Sequence, residues 1–145
     1  MAETRYAKSH RDLIVYQKAR AVAREVFEVT KSFPRDEAYS LTDQIRRSSR
    51  SVGAQIAEAW AKRAYEKHFI SKLTDADGEQ HETQHWIEVA ADCQYISPDL
   101  SVAMVEKCRE IGRLLGGMMD KADLFCSPSA HSIRETQAEY FVEAQ

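Results

Sequence analysis

Apolar side chains recur at intervals of three and four along most of this chain, a spacing that only a helix gathers onto one side. The pattern is cleanest where Met104, Cys108, Ile111, Leu115, Met118, Ala122 and Phe125 form a single stripe. Strands would require alternation, and no alternating run of β-branched residues occurs. Five glycines and three prolines leave few places where helices can break. These features predict an all-α fold.

Four long helices are expected. The first, over about residues 10–32, places Leu13, Tyr16, Ala19, Ala23, Val26 and Thr30 on one stripe. Ser9 and Asp12 suit a capping box, and Phe33-Pro34 ends the helix. Ser40 and Asp43 repeat the capping pattern ahead of a second helix over about residues 41–63, with Leu41, Ile45, Ser48, Val52, Ile56 and Ala59 inward. Its slender middle (Ser48, Ser49, Ser51, Gly53, Ala54, Ala57) invites close approach by a neighbour. The third, over about residues 65–95, turns Phe69, Leu73, Ala76, Ile87, Ala90 and Ala91 inward. Gly78 lies inside it, at a cost of roughly 1 kcal/mol against alanine, and suggests a bend or tight packing. Ser97-Pro98 is an N-cap and first-turn pair that opens the fourth helix, whose methionines and Cys108 read as core filler, with Gly116-Gly117 as a kink. Short connections then favour an antiparallel up-down-up-down four-helix bundle over residues 1–126. Residues 127–145 read as a polar C-terminal tail or a short appended helix.

The charge balance narrows the functional classes. A net charge of -3 gives no global attraction to nucleic acid or acidic lipid, so either partner would need a local patch. No segment suggests a signal peptide or a membrane span. Cys93, Cys108 and Cys126 are widely spaced and lack any CxxC, which suits reduced thiols and a cytoplasmic setting. There is no GxSxG, P-loop or GxGxxG, and neither a cofactor nor a small-molecule substrate is expected.

One stretch argues the other way. HETQH, residues 81–85, spells the HExxH signature of zinc metalloproteases, in which two histidines one helical turn apart grip the metal and the glutamate acts as general base. Here His81 and His85 would be the ligands and Glu82 the base. A third ligand is also required. The extended form HExxHxxGxxH is absent, and nothing in the setting of Glu106 or Glu110 marks either as that ligand. His81 and His85 are therefore expected to be exposed bundle histidines and at most an adventitious metal site. A zinc-dependent hydrolase or metal-binding protein is the alternative.

Charge is also uneven. Residues 41–72 carry seven basic and three acidic side chains, whereas residues 73–92 carry six acidic ones and no Lys or Arg. Arg46, Arg47 and Arg50 could follow a nucleic-acid backbone, because guanidinium forks fit phosphate oxygens. Antiparallel pairing of the second and third helices would instead set Arg50 and Arg46 opposite Glu79 and Glu82, neutralising the patch. Lys62 and Arg63, near the turn between those helices, are harder to pair and suit RNA better. Tyr39, Trp60, Tyr65 and Trp86 lie at the margins of the core stripes, where subunit contact and partial core burial are equal contenders.

Three stretches together resemble one family. They are RDLIVYQKA (residues 11–19), SLTDQIRRSSRSVGAQIAEAW (40–60) and ETQHWIEVAADCQYI (82–96). Asp12-Leu13, Tyr16-Gln17-Lys18-Ala19, Leu41-Thr42, Gln44-Ile45-Arg46-Arg47 and Ile56-Ala57-Glu58 match, in order, patterns of the bacterial 23S ribosomal RNA intervening-sequence protein family. Gly53-Ala54-Gln55 and Ala59-Trp60 depart from its usual proline-containing triplet and glycine-aromatic pair. The resemblance spans roughly residues 10–125. It implies a four-helix bundle assembled as a homopentamer, akin to the accessory protein of diversity-generating retroelements that works with a reverse transcriptase and RNA, in a family with no established catalytic activity. The expectation is a non-enzymatic homo-oligomer, with RNA or a nucleic-acid-processing protein as partner.

Overall fold

Four long helices account for most of the chain. The computed structural model describes residues 7–126 and Tyr140, and among these residues there is no strand. Helix α1 spans Ile14–Thr30, α2 Leu41–Ala61, α3 Glu66–Asp92 and α4 Pro98–Asp120, with a short α5 at Ala122–Cys126. Single 3-10 turns at His10–Asp12 and Arg35–Glu37 precede α1 and α2. The expected tail or appended helix over residues 127–145 lies outside the described residues, apart from Tyr140.

The ends of the helices follow their local chemistry. The Arg11 amide donates to Ser9 Oγ at 3.2 Å and the Ser9 amide to Asp12 Oδ2 at 3.3 Å, closing the expected capping box. That box caps the 3-10 turn, and α1 itself begins only at Ile14. Ser97 caps α4 through its hydroxyl, which accepts from the Leu100 amide at 3.1 Å. Ser40 does not cap α2 with its side chain, contrary to the sequence pattern, because its backbone (φ -124, ψ -107) is not in the usual extended cap conformation. Beyond α3, Gln94 sits at φ 62 while its amide bonds Ala91 O and the Tyr95 amide bonds Ala90 O, both at 2.9 Å. This is a Schellman ending in which glutamine occupies the place glycine usually takes.

Burial explains where the stripes lie. All seven predicted α4–α5 core residues are buried, as are the six predicted for α2. Burial and then Glu25 push the Cys108 thiol up to about 12, so it remains a protonated apolar filler. In α1 the buried set is Leu13 followed by Val15, Ala19, Val22, Val26 and Thr30, rotated from the expected stripe so that Tyr16 and Ala23 fall on its flank. In α3 the stripe includes two polar residues, Gln80 and Thr83, between Ala76 and Ile87. Tight packing is not the role of Gly78, since a β-carbon there would meet nothing within 4 Å.

Each long helix packs against two others, in the ring α1–α2–α3–α4–α1. Arg47 and Ser48 of α2 meet Glu82 and Thr83, whereas Gln55 and Glu58, later in α2, meet Lys72, earlier in α3. A β-carbon at Gly112 would lie 2.7 Å from Gln80 Nε2, while Thr74 Oγ1 reaches Met119 Sδ at 3.4 Å. Glu25 pairs with Lys107 and Lys18 with Glu110. Phe27 lies beside Arg46 and Tyr16 beside Gly53. Across each seam, positions later on one helix meet positions earlier on the next. Helix α4 continues through Gly116-Gly117 without breaking, and Gly117 has a packing role, because a β-carbon there would collide with the Tyr140 hydroxyl. The Tyr140 ring rests edge-on against Phe125 at 5.4 Å.

Candidate functional site

The outer side of the α1–α2 seam carries a groove between the two helices. Tyr16, Arg20, Ala23, Arg24 and Phe27 recur at helical spacing along one flank of α1. Facing them, α2 presents Arg50, Gly53, Ala54 and Ala57. The α2 side chains are too small to fill the space between the helices, and Gly53 lets the Tyr16 ring come within 3.7 Å of where a β-carbon would stand. The result is a groove of about 360 Å³ with an apolar floor and Arg20, Arg24 and Arg50 around it.

A second hollow of about 530 Å³ adjoins it, sharing Arg50 and Ala54, and is lined also by Thr42, Asp43, Arg46, Arg47 and Ser51. Arg46 and Arg47 part company at this point, since consecutive residues project about 100° apart on a helix. Arg46 turns to α1, where its Nε donates to Thr30 Oγ1 at 2.8 Å and its guanidinium lies 4.9 Å from the Phe27 centroid. Arg47 turns to α3 and binds Glu82 at 3.2 Å. The expected opposition of Arg46 and Arg50 to Glu82 and Glu79 is therefore corrected. Of these three arginines, Arg47 is the one that pairs with an α3 carboxylate.

Among the acids of α1 and α2, Glu25, Glu28 and Glu58 are paired with lysines outside the groove, whereas Asp43 lines the adjoining hollow. Glu25 pairs with Lys107 of α4, Glu28 with Lys31 at 3.1 Å, and Glu58 with Lys72 at 3.1 Å. That hydrogen bond from Lys72 to Glu58 is the main reason the lysine is held above its ordinary range. Among the described residues, Arg20, Arg24 and Arg50 form no ion pair. Phe27, 37% exposed, sits among Lys31, Arg46 and Arg50, with the lysine ammonium at 4.8 Å and the Arg50 guanidinium at 5.7 Å.

The other expected residues are dispersed. Lys62 is exposed at the end of α2. Arg63 folds over the Trp60 ring at 3.6 Å and donates from Nε to Trp60 O at 2.9 Å, and burial lowers its pKa. Trp60 is buried in the core, and Trp86 is half-buried with no hydrogen-bond partner for its indole nitrogen among the described residues. Tyr39 and Tyr65 stand 97% and 67% exposed.

HETQH lies on α3, facing a different part of the molecule. His81 Nδ1 is 2.9 Å from Asp77 O and 3.1 Å from Gln80 Nε2, while the His85 ring leans on Trp86. Glu82 is the partner of Arg47, Glu110 of Lys18 and Glu106 of Arg113. Among the described residues, no group of three or more His, Cys, Asp or Glu is disposed to hold an ion. Behind the motif is a buried polar layer. Gln80, 2% exposed, donates to Asp77 Oδ1 at 2.9 Å and accepts from Gln84 at 2.7 Å, and the Thr83 and Ser48 hydroxyls are 2.9 Å apart. Glu79 Oε2 is buried without a partner among the described residues, and burial, then Glu82, raise its pKa against the opposing pull of Arg47.

Sequence inspection missed Arg20, Arg24 and Phe27. Their signal was present: arginines one turn apart, with an aromatic one turn further along the same flank. Among the described residues no helix is long and apolar enough to cross a membrane.

Residues 11–117 match the family model described as 23S rRNA-intervening sequence protein. The fold is also similar to a crystal structure from Bacteroides thetaiotaomicron, that of a protein of unknown function from the S23 ribosomal protein family. The two agree with a TM-score of 0.67 and 28% identity, over 74% of this chain and 96% of that one. No curated protein matches.

Proposed function

Since this chain belongs to the 23S rRNA-intervening sequence protein family, we propose that it is a non-enzymatic, cytoplasmic interaction protein that binds RNA or a ribonucleoprotein partner through the arginines of the α1–α2 face. The observation that carries this is the set Arg20, Arg24 and Arg50, gathered around one groove with no carboxylate paired to them among the described residues. Phosphate oxygens are natural partners for exposed guanidinium forks. A chain of net charge -3 would then bind nucleic acid through this face and not through its overall field.

The four long helices are taken to form an antiparallel up-down-up-down bundle, as the opposed contacts along the seams favour, and five copies to assemble as a homopentamer. Exposed Tyr39 and Tyr65 suit subunit contact. A non-enzymatic role is favoured by the prior engagement of Glu82, Glu106 and Glu110 in ion pairs.

Light-scattering chromatography with absorbance at 260 and 280 nm tests assembly and bound nucleic acid together. A mass near five times the 16.6 kDa chain is expected, with RNA binding that weakens steeply as salt rises. A monomer would defeat the assembly proposal, and absence of binding at low salt would defeat the RNA proposal.

A further inference from the structure

The shape of the α1–α2 face points to the form of nucleic acid it takes. Resting on the RNA-binding proposal above, we infer that the groove receives an unstacked base of a single strand while the surrounding arginines hold the flanking phosphates. A duplex presents phosphates on a convex surface and keeps its bases stacked inside, so charge alone would serve it and a hollow would not. Here the charges surround a recess of about 360 Å³, within the range of small-ligand pockets. Ala23, Ala54 and Ala57 line it, and such small apolar side chains suit the flat face of a nucleobase.

Two further features fit a base and its backbone. Tyr16 and Phe27 stand eleven residues apart on α1, about 16 Å at the helical rise, and bound the groove lengthwise. Exposed aromatic rings and guanidinium planes are the surfaces on which single-strand binders stack bases. Arg20 and Arg24 are one turn apart on the same flank, so they can hold successive phosphates of an extended strand, with Arg50 across the groove for a third. Among the described residues, no acidic side chain lines the groove.

The test uses the full-length protein and three labelled probes of equal length at low salt: a single-stranded RNA, the same sequence as a duplex, and a strand with abasic sites throughout. The parent is expected to bind the single strand about tenfold more tightly than either of the others. The variant Ala54→Leu/Ala57→Leu fills the floor without changing charge. It should bind the single strand only as well as the abasic strand. Equal affinity of the parent for all three probes, or a preference for duplex, overturns base insertion while leaving phosphate binding intact. Failure of all three to bind removes the RNA-binding proposal as well. Polyglutamate competing as effectively as the single strand overturns the inference in favour of an acidic protein segment. If the filled variant misfolds, the parent's ranking of the probes still decides the question.

Discussion

The two edges of α2 carry similar charges and use them differently. On the α3 edge, Arg47 is neutralised by Glu82, Glu58 by Lys72, and the Ser48 and Thr83 hydroxyls meet in a seam from which solvent is excluded. On the α1 edge, the small residues Gly53, Ala54 and Ala57 leave a groove, and among the described residues Arg20, Arg24 and Arg50 around it pair with no carboxylate. A charge count cannot separate these edges, because Arg46 and Arg47 are adjacent in sequence and serve opposite seams. What distinguishes a packing edge from a binding edge is where the neighbouring helix puts its acids.

The largest expected effect tests the open edge. Replacing Arg20, Arg24 and Arg50 together by glutamate is expected to weaken RNA binding at low salt by more than about 100-fold, since three attractions become repulsions. Fluorescence anisotropy reads this, and the melting temperature should change little. A loss below about threefold would break the comparison at its functional end.

Next in size is a lesion in the packed edge. Ser48→Leu forces a larger side chain into a fully buried site against Thr83 and should cost about 1–3 kcal/mol in urea unfolding, with the RNA affinity of the folded protein retained. A neutral result would mean that the α2–α3 seam has room to spare.

Arg47→Ala removes a half-exposed ion pair that solvent already screens, so about 0.5 kcal/mol is expected. A cost above about 2 kcal/mol would show that the pair matters far more than its exposure implies.

The smallest effect concerns Glu79. Its raised pKa means that the folded chain holds this proton more tightly than the unfolded chain does. Stability from this group is therefore present at acid pH and declines as pH rises through the ordinary carboxylate value to the raised one. Glu79→Gln removes the buried charge and should raise the melting temperature by about 2 °C near pH 7, with the gain fading near pH 4. A gain that is constant with pH would contradict the assignment.

The fold was legible wherever one flank of a helix held all the apolar residues. The stripe from Met104 to Phe125 leaves no choice of face, and burial follows it residue by residue. Helix α1 offers two overlapping choices, because Val15 and Val22 stand next to Tyr16 and Ala23. Only the packed structure shows that the valines face the core and that the second pair lines a groove. Gln80 and Thr83 look like surface residues in sequence and are buried because Asp77, Gln84 and Ser48 supply their hydrogen bonds. Of the site, Arg46 and Arg50 were found from their spacing. Arg20, Arg24 and Phe27 were not, since the groove comes from a second helix whose rotation the sequence left open. HETQH shows the converse: a motif complete in sequence whose glutamate is tied to Arg47.

Chemical footprinting of arginines tests the difference between the two edges most directly. The protein would be modified with a dicarbonyl reagent, with and without saturating single-stranded RNA, and each site quantified by mass spectrometry. RNA is predicted to protect Arg20, Arg24 and Arg50 most, Arg47 less, and Arg113 on α4 not at all. Equal protection of all five, or protection centred on Arg63 with the groove arginines still reactive, would contradict the account.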